Sequence, residues 1–249
     1  MRFVEIEEPL TELLRAFGPP RKPTPHNPFW YLESDELWVF EGSTYGLAGP
    51  TNTPRIGALR ESETHAGLPL EDFEALRADP ELLASVTRTL LESHFPESYR
   101  DDILAAVGLS LEPIDTIHVR RRDPAFRHAV LRAYEHRCAV CELQIIVRGV
   151  VEGVEAAHVK WHAARGPDEV ANGVALCALH HKALDRGWLG IDERHVLRVS
   201  DEVSGNQTFD ELVGRFHGRP LRPPRQPEHR VHDDYRDWHW REVFRGVAA

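Results

Sequence analysis

The 249-residue sequence predicts an α+β fold in two parts. The N-terminal part is expected to be mainly helical with a small β-hairpin, and the C-terminal part to contain a metal-stapled ββα unit. Three observations favour this fold. Apolar residues recur at helical spacing over residues 70–109. Metal-ligand residues occur in two pairs with identical gaps. Short β-rich runs precede the second pair.

The N-terminal elements follow from periodicity and from turn residues. Residues 4–17 predict an amphipathic helix that ends at a Gly-Pro-Pro sequence. Residues 29–42 predict a hairpin, because two aromatic-rich runs flank a polar Glu-Ser-Asp-Glu stretch. Residues 43–69 are rich in Gly, Pro and Thr and predict a loop. Residues 70–95 predict a helical pair that breaks near a proline, and residues 97–109 predict one more helix.

The C-terminal half is expected to begin with a helix over residues 124–136, because proline suits a first helical turn. Two β-rich runs, 138–145 and 150–159, are both expected to precede a loop with a Gly-Pro-Asp turn. Later elements are a helix over 179–186, a strand-rich piece over 188–200 and a surface helix over 233–246. The predicted domains are residues 1–112 and 113–249, with a linker at about 110–118.

Composition and charge limit the function classes. Hydrophobic content of 41% and charged content of 28% are typical of a globular protein. No apolar run approaches the roughly 20 residues that cross a bilayer, and the first residues lack the apolar core of a secretion signal. We therefore expect a cytoplasmic protein with no membrane partner.

The net charge of −10 opposes nucleic-acid binding, but the charge is unevenly distributed. Residues 1–117 carry 9 basic and 21 acidic side chains, whereas residues 118–148 carry seven arginines and three acids. A local basic stripe can attract phosphate despite a negative total. A solvated helix face is the alternative interpretation of the stripe.

Two residue pairs predict a structural zinc site. Cys138 and Cys141 are followed by Cys177 and His180, and each pair is separated by two residues. Thiolate and imidazole are the ligands that tetrahedral Zn²⁺ prefers, and zinc would supply folding energy that a small ββα unit lacks. The alternatives are three buried free cysteines with a surface histidine, or a redox pair at Cys138 and Cys141. The redox pair is disfavoured because no thioredoxin-like pattern surrounds it.

The residues between and after the zinc ligands resemble the HNH nuclease motif on a ββα-metal fold. His158, Asn172 and His181 match the three positions that name the motif. The resemblance implies that His158 is the general base, that Asn172 orients the loop and that His181 binds a catalytic Mg²⁺ or Mn²⁺. Asp185, four residues after His181 on the same helix face, is the candidate second ligand.

One position departs from the motif. Many HNH nucleases carry Asp or His immediately before the general base as a further metal ligand, and this chain has Ala157 there. Glu155 would point the same way in a strand and could reach the ion through water. The alternative is a structural histidine in an inactive domain. His162 is interpreted as a loop surface residue.

The stretches HNPFWYLESDELWVFEG (residues 26–42) and LLESHFPESYRDDILAAVGL (residues 90–109) resemble the sulfur-binding domain joined to HNH nucleases in type IV restriction enzymes that act on phosphorothioate-modified DNA. Sulfur is larger and less strongly hydrated than a phosphate oxygen, so a shallow apolar pocket penalises the oxygen more. The resemblance implies a pocket at Pro28 and Tyr31 with His26 and Asn27 adjacent. Arg55 is a candidate contact to phosphate or beside the sulfur. Of the aromatic residues nearby, at least two of Phe29, Trp30 and Trp38 are expected to be core.

Taken together, the sequence predicts a modification-dependent DNA endonuclease with structural zinc and a catalytic divalent ion. Its expected partner is double-stranded DNA carrying phosphorothioate. Three alternatives remain open: a nuclease for another modified DNA, a nuclease for unmodified DNA, and a DNA-binding module with an inactive nuclease domain. Cutting both strands requires two active sites, which leaves a homodimer open.

Overall fold

A computed structural model describes residues 1–109 and 124–246, so the predicted linker over 110–118 lies outside the described residues. The chain forms two compact units, Met1–Leu90 and Leu91–Ala249. The domain boundary predicted at 112/113 remains a prediction. The mixed helical and β content confirms the predicted α+β class.

The first unit is mainly helical. Its elements, in chain order, are α1 (Phe3–Phe17), α2 (His26–Tyr31), β1 (Val39–Glu41), α3 (Ile56–Glu61), β2 (His65–Gly67), α4 (Leu70–Ala78) and the start of α5 (Pro80–His94). Strands β1 and β2 pair antiparallel, with Phe40 opposite Ala66. The small sheet of the prediction is therefore present, but its second strand comes from further along the chain.

The hairpin predicted over residues 29–42 is wrong in its first strand. Phe29 and Trp30 lie in α2, where both are buried. Phe29 contacts Phe3 of α1 at 5.3 Å between ring centroids and Phe40 of β1 at 5.8 Å. Aromatic side chains favour strands mainly through packing, and here a helical turn packs them better. The loop predicted over 43–69 is also incomplete, because it contains α3 and β2.

The second unit is built around an antiparallel pair of strands. Its elements are α6 (Glu97–Ala106), α7 (Pro124–Ala133), β3 (Ile145–Val147), β4 (Val150–Glu152), β5 (Val154–His158), β6 (Gly173–Cys177), α8 (Ala178–Asp185), β7 (Leu189–Ile191), β8 (Leu197–Val199), α9 (Gln207–Leu212) and α10 (Asp233–Glu242). Strand β5 pairs with β6, and α7 and α8 both pack against this pair. The central ββα unit is therefore β5, β6 and α8.

The strand order of this unit corrects the prediction that both strands precede the loop. The loop lies between β5 and β6, because the run Gly-Val-Ala-Leu-Cys at 173–177 is a strand whose five residues are all buried. A fully buried strand has no polar alternation, so periodicity alone does not identify it. His158 at the end of β5 pairs with Gly173 at the start of β6.

Helix α7 is amphipathic. Its buried side includes Phe126 and Val130, whereas Arg127 and Arg132 are exposed. Arg127 also donates a hydrogen bond from Nη2 to the carbonyl of Val154. The described part of the basic stripe is thus an exposed helix face, and its first residues, 118–123, lie outside the described residues.

Helix α10 is fixed by a buried histidine. His239 is 1% exposed, and its Nε2 lies 2.8 Å from the carbonyl oxygen of Leu184 in α8. A carbonyl only accepts, so Nε2 carries the hydrogen. Burial lowers the pKa of His239 to about 4. The neutral ring therefore holds α10 next to the end of α8.

We expect acid to destabilise this contact. The pKa of His239 is about 4 in the folded chain and roughly 6.5 unfolded, so its contribution is complete above pH 6.5 and falls as the pH drops towards 4. The loss is on the order of 3 kcal/mol. H239Q, which keeps a donor but does not titrate, should flatten the dependence of unfolding free energy on pH in that window. Urea denaturation at pH 4.5 and 7 measures it, and an unchanged pH slope contradicts the assignment.

Candidate functional site

The ligand atoms of the four predicted zinc residues lie together. Cys138, Cys141, Cys177 and His180 each place one ligand atom within 4.8 Å of all the others. His180 Nδ1 is 3.5 Å from Cys138 Sγ and 3.1 Å from Cys177 Sγ, and Cys141 Sγ is 4.0 Å from Cys177 Sγ. Tetrahedral ligands at about 2.0–2.3 Å from one ion lie roughly 3.5–4 Å apart, so this cluster could hold a metal ion.

The second nitrogen of His180 supports a ligand role. His180 Nε2 lies 2.9 Å from the carbonyl oxygen of Leu212 at the end of α9. A carbonyl only accepts, so Nε2 carries the hydrogen and Nδ1 faces the thiols. Metal-ligating histidines commonly have such a partner. The end of α9 therefore orients the cluster.

Charges within the cluster favour metal binding with release of protons. Hydrogen bonds from Cys141 and Cys177 lower the pKa of the Cys138 thiol. Burial alone would lower the pKa of His180, but hydrogen bonds with Cys138 and Cys141 raise it to about 9. Thiolate and unprotonated ring nitrogen are the forms that bind a metal ion, so an ion in this cluster would displace the protons that remain on the ligand atoms.

His158 stands at the end of β5 in a contact that the sequence did not reveal. Its Nε2 lies 2.7 Å from Oδ1 of Asp168, a residue of the loop between β5 and β6. The ring also stacks on Phe126 of α7, with centroids 4.1 Å apart and planes 15° apart. His158 is only 11% exposed, and these two neighbours restrict its ring orientation. His162 is exposed in the same loop, 5.8 Å from His158 between ring centroids.

Asn172 closes the loop that carries these groups. Its side chain is completely buried, and Oδ1 accepts from the backbone N–H of Lys160 at 2.8 Å. Its Nδ2 donates to the carbonyls of Lys160 and Pro167, both at 3.0 Å. Gly166 permits this arrangement, because a Cβ there would lie 1.9 Å from the Lys160 carbonyl oxygen. The amide therefore ties the end of β5 to the turn that presents Asp168.

His181 and Asp185 lie one turn apart on α8 and line a cavity of about 360 Å³. His181 Nδ1 is 2.5 Å from Glu155 Oε2, and His181 Nε2 is 3.7 Å from Asp185 Oδ2. Two ligands about 2.1 Å from one ion lie roughly 3–4 Å apart, so the imidazole and the Asp185 carboxylate fit a divalent cation. The remaining cavity lining is Glu97, Ser98, Glu155, Ala178 and Lys182.

The structure assembles the predicted HNH residues in two neighbouring groups. His158 is grouped with Asp168 and Asn172 at the strand end, whereas His181 is grouped with Asp185 and Glu155 beside α8. His158 is not part of the lining of the 360 Å³ cavity. Side chains alternate along a strand, so Glu155 and Ala157 share one face of β5 and His158 takes the other. Ala157 is completely buried.

The sequence analysis missed the carboxylate of Asp168 and identified only part of the role of Glu155. Asp168 belongs to the Gly-Pro-Asp turn. A carboxylate in the loop between His158 and Asn172 was the sequence feature that could have marked it as a partner of His158. Glu155 was considered as a contact to the ion through water, but its direct contact is with His181.

The predicted DNA-recognition residues lie in the first unit on and near α2. Asn27, Pro28 and Tyr31 occupy one side of this short helix at helical spacing and are at least partly exposed. The Tyr31 hydroxyl donates to the carbonyl of Asn52 at 3.2 Å. Burial lowers the pKa of His26, so its ring is neutral at pH 7.

Asn52 connects α2 to the following loop. Its Oδ1 accepts from Nε1 of Trp30 at 3.0 Å, in addition to the Tyr31 contact. Asn52 has a φ of 56°, a left-handed conformation that asparagine tolerates. Arg55 follows at the start of α3 and is exposed. Phe29 and Trp30 are buried and Trp38 packs against them, so all three belong to the core.

Residues 1–112 match the family described as "ScoMcrA-like, DNA sulfur-binding domain". Residues 138–192 match the family described as "HNH endonuclease". The comparison with curated proteins gave no match.

Among solved structures, the chain is similar to a protein titled "Modification dependent TagI restriction endonuclease" at 23% identity and a TM-score of 0.35. The similarity covers 55% of this chain and 41% of that one, so less than half of the neighbour's length is represented. Among residues 1–109 and 124–246, no helix combines the length and apolar character needed to cross a bilayer. Residues 1–112 are thus similar to a ScoMcrA-like DNA sulfur-binding domain, and residues 138–192 are similar to an HNH endonuclease domain.

Proposed function

We propose that the chain is a modification-dependent DNA endonuclease that recognises phosphorothioate-modified duplex DNA and hydrolyses nearby phosphodiester bonds. The observation that carries the proposal is the ββα unit: strand β5, which ends at His158 and its partner Asp168, packs against the helix that bears His181 and Asp185. The sulfur-binding family match supplies the recognition half. A DNA substrate makes the cytoplasm the proposed site of action, and cutting both strands makes a homodimer the proposed assembly.

The chemistry assigned to His158 is general base catalysis. Asp168 accepts from Nε2–H, so the lone pair of the neutral ring is on Nδ1, which takes the proton of the attacking water. The carboxylate then stabilises the imidazolium that forms and holds its orientation, and stacking on Phe126 limits rotation. Asn172 contributes by holding the loop and not by touching the substrate.

The metal-binding role is assigned to His181 and Asp185. Imidazole and carboxylate donors suit Mg²⁺ or Mn²⁺, and such an ion, when bound, neutralises charge on the phosphate and on the leaving oxygen. Zn²⁺ is proposed for the Cys3His cluster, where it is structural because four protein ligands leave no open position.

The recognition role is assigned to the exposed side of α2. Pro28 and Tyr31 offer apolar surface to the sulfur atom, with His26 and Asn27 adjacent. Burial lowers the pKa of His26, which disfavours the positive charge that would attract a phosphate oxygen more strongly than a sulfur atom. Arg55 supplies a phosphate contact that contributes to affinity without reading sulfur.

We expect the duplex with one phosphorothioate to bind at least about tenfold more tightly than the same duplex with oxygen, a difference of about 1.4 kcal/mol. Fluorescence anisotropy at fixed salt with the H158A protein measures binding without cleavage. R55A should weaken binding to both duplexes by a similar factor, because phosphate contacts are independent of the sulfur. Equal affinities of the H158A protein for the two duplexes would remove the sulfur preference and leave a nuclease for other DNA.

Cleavage should depend on the pair His158 and Asp168. H158A should lower the cleavage rate by roughly 10²–10⁴-fold with Mn²⁺ or Mg²⁺, which is the range of general acid–base contributions. D168N should also lower it, because the amide presents a weaker partner to the imidazolium. Single-turnover cleavage on the preferred duplex provides the rate, and H162A serves as the control for a nearby histidine. Wild-type cleavage no faster than H158A would indicate a DNA-binding module with an inactive nuclease domain.

The Cys3His cluster should contain one zinc ion per chain. C141S should purify with far less than one equivalent and unfold at a lower temperature, because metal binding contributes to folding. Elemental analysis by mass spectrometry gives the metal content, and chelator titration of the wild type followed by circular dichroism gives the loss of fold. Full zinc occupancy in C141S, or a fold insensitive to chelation, would argue against a structural zinc site.

A further inference from the structure

Each of the two proposed ligands on α8 contacts a neighbouring side chain that is not among the proposed ligands. Glu155 of β5 contacts His181, and Ser98 of α6 contacts Asp185. We propose that Glu155 and Ser98 are positioning residues that fix the two ligands of the catalytic ion, and that this arrangement functions although Ala157 offers no ligand. The inference rests on the proposed metal site.

Glu155 determines which nitrogen of His181 can bind a cation. A carboxylate only accepts hydrogen bonds, so the 2.5 Å contact requires that Nδ1 carries the hydrogen. In the neutral ring the lone pair is then on Nε2, the nitrogen that lies 3.7 Å from Asp185 Oδ2. The contact therefore turns the lone pair of His181 towards the second proposed ligand.

The geometry distinguishes this role from direct ligation by Glu155. The two carboxylates approach opposite nitrogens of one ring, Glu155 at Nδ1 and Asp185 at Nε2. A single nitrogen can face an ion, so an ion between Nε2 and Asp185 lies away from the nitrogen that Glu155 engages. Carboxylate partners of this kind raise the basicity of a ligating imidazole and fix its tautomer.

Ser98 holds the other ligand. Its hydroxyl donates to Asp185 Oδ2 at 2.8 Å, and Asp185 is only 7% exposed. Arg186, the next residue, donates from Nη2 to the Ser98 carbonyl at 2.5 Å and pairs with Asp102, one helical turn further along α6. Asp185, the last residue of α8, and Arg186, which follows it, are thus both attached to α6, and these contacts restrict the rotation of the Asp185 carboxylate.

The test of Glu155 measures metal affinity and tautomer without DNA. E155A should raise the Kd for Mn²⁺ by about 10- to 100-fold, the typical cost of removing such a partner. E155Q can still accept from Nδ1–H through its amide oxygen and should raise the Kd less than about tenfold. Glu155 is 47% exposed, so neither change disrupts a core. Calorimetric titration with MnCl₂ gives Kd, and ¹⁵N shifts of the His181 ring in metal-free protein give the tautomer.

The matched control is E152Q, which removes one charge at an exposed position of β4. It should leave both readouts unchanged, whereas E155A should lose the preference for Nδ1–H. Equal losses of Mn²⁺ affinity in E155Q and E155A with an unchanged tautomer would make Glu155 a ligand and overturn the inference. An E152Q loss equal to that of E155A would also overturn it, because long-range charge would then account for the effect.

Ser98 is tested by S98A and S98T. S98A should raise the Kd for Mn²⁺ by about tenfold, S98T should restore most of the affinity through its hydroxyl, and S93A on an exposed position should have no effect. Equal Kd values for S98A and wild type would remove Ser98 from the proposal. Wild-type protein that binds no Mn²⁺ would overturn the metal site and this inference together. Absent cleavage with normal Mn²⁺ binding and tautomer would count against the proposed function alone.

Discussion

The buried side chain of Asn172 is the interaction on which the proposed nuclease site depends. Its three hydrogen bonds reach the backbone N–H of Lys160, the carbonyl of Lys160 and the carbonyl of Pro167. Replacing the amide would leave buried backbone groups without their partner, at a cost of about 1–3 kcal/mol for each. The position of Asp168 follows from this network, because Asp168 is adjacent to Pro167. The orientation of His158 then follows from Asp168.

The metal cluster and the proposed catalytic residues share one short helix. His180 and His181 are consecutive, so their side chains point about 100° apart around α8. One ring faces the thiols of the structural cluster and the other faces Glu155 and Asp185. Anchoring His180 through the cluster and through the Leu212 carbonyl therefore also limits the rotation of His181. An ion held by the four cluster ligands would thus influence the proposed catalytic residues without contacting the substrate.

The sequence predicts those parts of the site that depend on local spacing. The two-residue gaps at Cys138 and Cys177 and the four-residue gap from His181 to Asp185 are fixed by knuckle and helix geometry. The FWY run of α2 is different, because its conformation depends on packing against Phe3 and Phe40 from distant segments. Strand β6 was also missed, since a short run buried on both faces carries no alternation.

Contacts between side chains that are distant in sequence account for what remained hidden. Glu155 and His181 are 26 residues apart, and Ser98 and Asp185 are 87 residues apart. Either carboxylate could be a solvated surface group on sequence grounds alone, since nothing local marks its partner. Once β5 has paired with β6 and α6 has packed in place, Glu155 contacts His181 and Ser98 contacts Asp185. In the proposed site, the absence of a ligand at Ala157 is offset by the partners that hold His181 and Asp185, because a functional site depends on side chains whose rotamers are fixed by their neighbours.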